Sequence, residues 1–207
     1  MTKASIGLTA VLIVIVLIAL ALASSMVGVW NRLNKDYQSV EGARSQYSAA
    51  LNTCTEKIKG VWEITNQYMK HESETFMAVA RARSGYEAAR EAFEKAAAEG
   101  KGTEELTKAG TEVVSAALAF RIQVEAYPEL RAVEATKENI RNMESSVNEI
   151  KTALDDWIVT IKRYNTYRGS AWPSVVGGFM KKFPAEIKYY EGEIKKLDVN
   201  ELNPENK

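Results

Sequence analysis

Hydrophobic and polar positions along this chain fall into two regimes, and the change comes within a few residues of Trp30. From Ala4 to Asn31 there is no charged side chain, and Ile6 through Leu22 is almost wholly Leu, Ile, Val and Ala. Beyond it apolar residues recur in steps of three, four and seven: Leu33, Tyr37, Val40, Tyr47, Leu51, Cys54, Ile58, Val61, Tyr68, Phe76 and Val79. The first regime predicts a helix that is apolar on every side, the second a helix with one apolar stripe. A bilayer core of about 30 Å takes roughly 20 residues at about 1.5 Å rise, so the first is long enough to cross a membrane.

The stripe keeps its phase across Gly60, which predicts a continuous or merely bent helix there, at a propensity cost of about 1 kcal/mol. Residues 87–99 are alanine-rich, with Arg83 and Glu87, Arg90 and Glu94, and Glu91 and Lys95 spaced for i,i+4 pairing, the pattern of a solvated helix end. Gly100 and Gly102 terminate it, and Thr103 before Glu104 and Glu105 predicts an N-cap followed by acids that the helix dipole favours. A return arm then repeats the rhythm through Leu106, Val113, Ala117, Phe120, Val124 and Tyr127, and again from Leu130 through Val133, Ile140, Val147, Ile150, Leu154, Ile158, Ile161 and Tyr164. Pro128 removes an N–H and restricts Tyr127, so a break belongs between those blocks.

Two arms of similar length, 30–99 and 103–168, predict an all-α fold: an N-terminal transmembrane helix followed by a long antiparallel helical bundle. The bundle has either four helices or two long kinked arms in a hairpin. The chain then divides into an anchor at 1–30, a bundle at 31–168 and an aromatic, basic tail at 169–207. An even number of passes returns Arg168 to the end where Trp30 emerges. There the tail offers Trp172, Phe179 and Phe183, with Lys181 and Lys182 between them and Gly177 with Gly178 as a flexible joint. This composition, together with Trp30, is that of a membrane-interfacial segment, and equally that of a cap on the bundle.

Ala21-Leu22-Ala23 before Ser24 resembles a signal cleavage site, with Lys3 as the basic start. The apolar run continues past it through Met26, Val27 and Val29, which favours an uncleaved single-pass anchor in the cell membrane. Arg32, Lys35 and Arg44 outweigh Lys3 in basic charge and place the large domain in the cytoplasm. Small residues recur four apart in the span, Ala19 with Ala23, Ala21 with Ser25, and Ser24 with Gly28, a spacing that lets membrane helices approach closely and also occurs in ordinary low-complexity spans. A homo-oligomer is the expected assembly.

Lys plus Arg number 27 and Asp plus Glu number 27, so there is no basic excess of the kind that nucleic-acid binding needs. His71 is the chain's one histidine. In His71-Glu72-Ser73-Glu74-Thr75, Thr75 stands where a zinc-protease helix needs its second histidine. Cys54 lies on the apolar stripe as a small core residue, and Asp155 with Asp156 face different directions. No catalytic, cofactor or metal site is expected, and no enzymatic activity.

Several stretches resemble the LemA family of bacterial membrane-anchored helical proteins. They are Trp30-Asn31-Arg32-Leu33, then Tyr68-Met69-Lys70-His71-Glu72-Ser73-Glu74-Thr75-Phe76, Ala126-Tyr127-Pro128-Glu129-Leu130, Tyr164-Asn165-Thr166, and Trp172-Pro173-Ser174 with Gly178-Phe179. Where the family usually has Ala-Trp-Ser-Gln this chain has Ala43-Arg44-Ser45-Gln46. A basic run with a following Pro-Asn-Leu is replaced by Asn52 to Val61, and Trp157-Ile158 replaces a Tyr-Asn pair, so the chain reads as a divergent member. The resemblance implies a single-pass anchor carrying an antiparallel four-helix bundle, and it supplies no catalytic residues. The expected role is a non-enzymatic scaffold acting through self-association or an envelope protein partner. The alternative is a membrane-tethered adaptor or sensor that binds a soluble protein or peptide.

Overall fold

The computed structural model describes residues 3–68, 73–127, 130 and 134–194. The described chain is helical: α1 spans Lys3–Tyr68, α2 Ser73–Ala98, α3 Thr103–Glu125, α4 Glu134–Arg168 and α5 Ala171–Phe179. No strand occurs among the described residues. α1 passes through Gly60 without interruption, as the unbroken phase of the stripe requires. Two compact units are present, Met1–Val40 with Lys162–Glu186, and Glu41–Ile161 with Ile187–Lys207.

The second unit is an antiparallel four-helix bundle rather than a two-arm hairpin. Trp62 meets Phe76 with ring centroids 5.2 Å apart, Thr55 Oγ1 and Tyr86 Oη lie 2.7 Å apart, and the rings of Tyr47 and Phe93 stand 5.2 Å apart. As one number rises the other falls, so α2 runs back along α1. α3 and α4 pair in the same sense, with Leu154 opposite Gly110 and Arg121 Nη1 donating to Asn148 Oδ1 at 3.2 Å. The stripe residues Tyr47, Leu51, Cys54, Ile58, Val61, Leu106, Val113, Phe120, Val147, Ile150 and Leu154 all lie in the core.

Tyr86, Phe93, Met143 and Trp157 also lie buried there, beyond what the stripe alone indicates. Residues 87–99 are therefore not simply a solvated end. Around them Arg83 pairs with Glu87 at 2.6 Å and Arg90 with Glu94 at 3.3 Å, while Lys95 reaches forward to Glu99 at 4.0 Å. Phe93 meets the Tyr47 ring edge-on.

The α2–α3 turn closes with glycine in the left-handed region. Gly100 has φ of 68°, its N–H donates to Ala97 O at 3.2 Å, and Lys101 N–H donates to Ala96 O at 3.0 Å. This pair of bonds covers the last carbonyls of α2, and a residue with a Cβ would be strained there. The N-cap of α3 is Gly102 with extended backbone and no side-chain cap bond, so Thr103 is the first helical residue and not the cap. Glu104 and Glu105 stand in the first turn, where the helix dipole favours acidic residues.

Gly110 has a different role. Tyr47 Oη donates to Gly110 O at 3.1 Å, and a Cβ at 110 would sit 3.2 Å from Tyr47 Oη and 3.3 Å from Leu154 Cδ1. The missing side chain is what lets the Tyr47 ring lie against the α3 backbone. Gly110→Val is expected to destabilise the bundle by about 1–3 kcal/mol through overpacking. Gly85→Ala, at a helical site with nothing within 4 Å, is expected to stabilise it by about 0.5–1 kcal/mol. Thermal unfolding of the two full-length variants in detergent checks the opposite signs.

Candidate functional site

In the first unit, burial begins where the uncharged run ends. Residues 9–25 of α1 are exposed, and Val29 and Leu33, four apart, are its first two buried side chains. α1 thus changes at Trp30 from a helix with no inward face to one with a stripe. One described helix is long and apolar enough to cross a membrane, and none of its apolar window is buried.

The stripe is covered by the end of α4. Asp36, 6% exposed, lies between two guanidinium groups, with Arg32 Nε 3.8 Å from Oδ2 and Arg163 Nε 3.6 Å from Oδ1. These are ion pairs rather than hydrogen bonds. Arg32 also stacks over the Tyr167 ring at 4.1 Å. The expected return of Arg168 toward Trp30 is realised through these contacts.

The segment after α4 closes the site. Phe183 is 3% exposed, with its ring 4.9 Å from Trp30 and 6.2 Å from Tyr37, and Tyr37 lies 5.9 Å from Tyr164. Tyr164 Oη donates to Pro184 O at 2.6 Å, and burial pushes this phenol up to about 12 against the opposing charge of Arg168. Lys182 Nζ donates to Asn34 Oδ1 at 3.2 Å and sits 5.2 Å over the Trp30 ring. An aromatic box built by α1 and α4 therefore holds Phe183, with Lys182 across its mouth.

α5 is set by Arg168. This residue is buried, and its Nη1 donates to Ser174 O at 3.2 Å. A Cβ at Gly177 would come within 2.7 Å of its Cζ and Nε. Gly177 and Gly178 are thus part of a helix and not a flexible joint. Pro173, Val176 and Gly177 face inward, and Trp172, Val175, Lys181 and Phe179 are exposed.

The remaining sequence-derived positions are dispersed. Ala19, Ala21, Ala23, Ser24, Ser25 and Gly28 lie on the exposed part of α1, with Ser25 Oγ donating to Leu22 O at 2.8 Å. Tyr68 ends α1, while His71, Glu72 and Pro128 fall outside the described residues. Thr75 is buried in α2, Asn165 is half-buried beside Tyr164, and Tyr127 Oη accepts from Gln123 Nε2 at 3.2 Å. Asp36, Arg163 and Arg168 escaped the sequence reading because single charges on a helix look like solvated face until a partner helix covers them.

Cys54 is fully buried in the second unit. Burial pushes its thiol up to about 11, with Glu149 acting in the same direction and hydrogen bonds with Ser146 and Tyr86 opposing. No group of three or more His, Cys, Asp or Glu side chains converges among the described residues. What the first-unit site offers is cationic, aromatic and apolar contact.

Two expectations follow from these groups. Arg163→Met leaves Asp36 buried with one distant cation and is expected to cost about 1–2 kcal/mol, scaled down from roughly 3–5 for a fully buried pair because Arg163 is half exposed. Asp36→Asn removes the charge itself and is expected to cost less, so thermal melts should rank the two. For Cys54 the folded state favours the neutral thiol. The stability linked to it is whole below the ordinary thiol range near 8.5 and is lost as pH rises to about 11. Melts of wild type and Cys54→Ala from neutral pH to about 11 should show a steeper fall for wild type.

Compared with known protein families, residues 43–200 match the LemA family. The match starts at Ala43, downstream of the apolar span and of Trp30-Asn31-Arg32-Leu33, and takes in the four-helix bundle, α5 and the Phe183 clamp. No curated protein matches the sequence significantly. A family match over most of the chain makes this protein a member of the LemA family.

Proposed function

We infer that this protein is a membrane-anchored, non-enzymatic helical scaffold that works by associating with copies of itself or with an envelope protein. The observation that carries the reading is the exposure of α1 from Thr9 to Ser25: Val11, Leu12, Ile13, Val14, Ile15, Val16, Leu17 and Ile18 are each more than half exposed. Such a contiguous apolar surface is unfavourable in water at about 25 cal/mol per Å² and is matched by a bilayer core. The helix leaves it at Trp30, with Arg32 and Lys35 next, the order suited to a headgroup layer.

Self-association is supported by how the small residues are arrayed. At about 100° per residue, Ala21, Ser24, Ser25 and Gly28 share one face of α1, and Ala19 with Ala23 share the opposite one. A Cβ at Gly28 meets nothing within 4 Å, so a neighbouring helix has room to approach. Two distinct faces suit a head-to-tail assembly, in which each copy uses one face toward each neighbour. The large domain belongs on the cytoplasmic side in this reading, by the basic excess after the span.

Cysteine pairs placed in a Cys54→Ala background, one on each face, test this in native membranes. Oxidative crosslinks are expected when a cysteine at 21, 25 or 28 is combined with one at 19 or 23, and only weakly from either face alone or from 20 and 22, which lie between the two faces. Deletion of residues 1–29 is expected to release the protein from membranes and abolish its oligomer. A full-length protein that stays monomeric at every concentration and shows no crosslinks at these positions rejects self-association.

A further inference from the structure

We propose that the outer face of α5 is a second membrane contact, a lipid-seated patch formed by Trp172, Val175 and Phe179. These residues are spaced three and four apart and share a face, and they are 39%, 50% and 79% exposed. α5 carries no charged side chain from Ala171 to Phe179. A helix apolar on all sides belongs in a core or in lipid. Here only one side, Pro173, Val176 and Gly177, is covered by protein.

The position of α5 favours lipid as the cover. It belongs to the same compact unit as the apolar span. Phe183, four residues after Phe179, packs on Trp30, and Lys182 reaches Asn34. Four residues of extended chain cover at most about 14 Å, so Phe179 lies close to the point where the span's uncharged run ends. The headgroup layer is itself roughly 5–8 Å deep on each side of the hydrocarbon. Lys181 and Lys182 follow at once, as basic residues do where an apolar face lies in an anionic interface.

The roll of α5 is held by Arg168. Its guanidinium lies against Gly177 and donates to Ser174 O, so the glycine side must face the protein and the Trp172 side must face out. Phe183, although close in sequence and composition, is the residue that clamps the segment and is not free to insert. Arg168 and Gly177 are thus positioning residues for a lipid patch they do not belong to.

This inference rests on the anchor reading, and the experiment separates the two. Full-length protein carrying Val175→Cys in a Cys54→Ala background is labelled with an environment-sensitive fluorophore. It is then reconstituted in phosphatidylcholine vesicles containing phosphatidylglycerol and a nitroxide on the acyl chain near the headgroup. Quenching is expected to be several-fold stronger than for the same label at Val159→Cys, an exposed site on α4 in the bundle unit. Adding Phe179→Asp, or separately Gly177→Val, should lower quenching at 175 and leave 159 unchanged. Carbonate washing reports on the anchor alone. Protein that resists the wash but shows no quenching at 175 overturns the lipid patch and leaves the anchor intact, whereas protein released by the wash overturns the anchor. A label at 175 that is shielded only at high protein-to-lipid ratio, without quenching, identifies a second copy of the chain as the cover and overturns the proposal.

Discussion

The change in α1 at Trp30, from an apolar surface on every side to a single stripe, constrains everything in the first unit. A helix that is apolar all round has no preferred inward face, and one with a stripe must bury it. Val29 and Leu33 begin the stripe, and beside them Trp30, Arg32, Asp36 and Tyr37 meet the end of α4 and the segment that follows. The contacts that hold this cover are of three kinds. Asp36 is held between Arg32 and Arg163, Phe183 sits in the box of Trp30, Tyr37 and Tyr164, and Arg168 lies under α5.

These contacts differ in what they add. The Asp36 pairs are longer than hydrogen bonds and involve two half-exposed arginines, so their net worth is modest, and their effect is to fix register between α1 and α4. The aromatic box adds apolar burial and edge contacts worth about 0.5–1.5 kcal/mol each beyond area. It therefore does more to hold the tail than the charges do. Buried Tyr164 ties the two together, with its ring against Tyr37 and its hydroxyl on the Pro184 carbonyl.

In the bundle unit the same economy of small residues recurs. Gly110 admits Tyr47, and Gly100 closes the turn between α2 and α3. The Trp157 that replaces a family Tyr-Asn pair packs against Tyr47 with centroids 5.9 Å apart, so this divergent position is a core position. Membership of the LemA family rests on this part of the chain, and the membrane reading rests on the segment before it.

The hydrophobic pattern by itself determined that the chain is helical, where the apolar span ends, that Gly60 does not break α1, and that Cys54 is a core residue. Each of these depends on periodicity along one helix, which the sequence carries directly. It left open whether the bundle has two arms or four helices, because an apolar stripe specifies a buried face without naming the helix that buries it. Tertiary structure decided that α2 returns along α1, that Phe183 is clamped while Trp172, Val175 and Phe179 stay exposed, and that Gly177 is a contact point for Arg168. Those outcomes depend on residues far apart in sequence meeting at distances of a few ångströms, and no local spacing encodes which of two neighbouring aromatics turns inward.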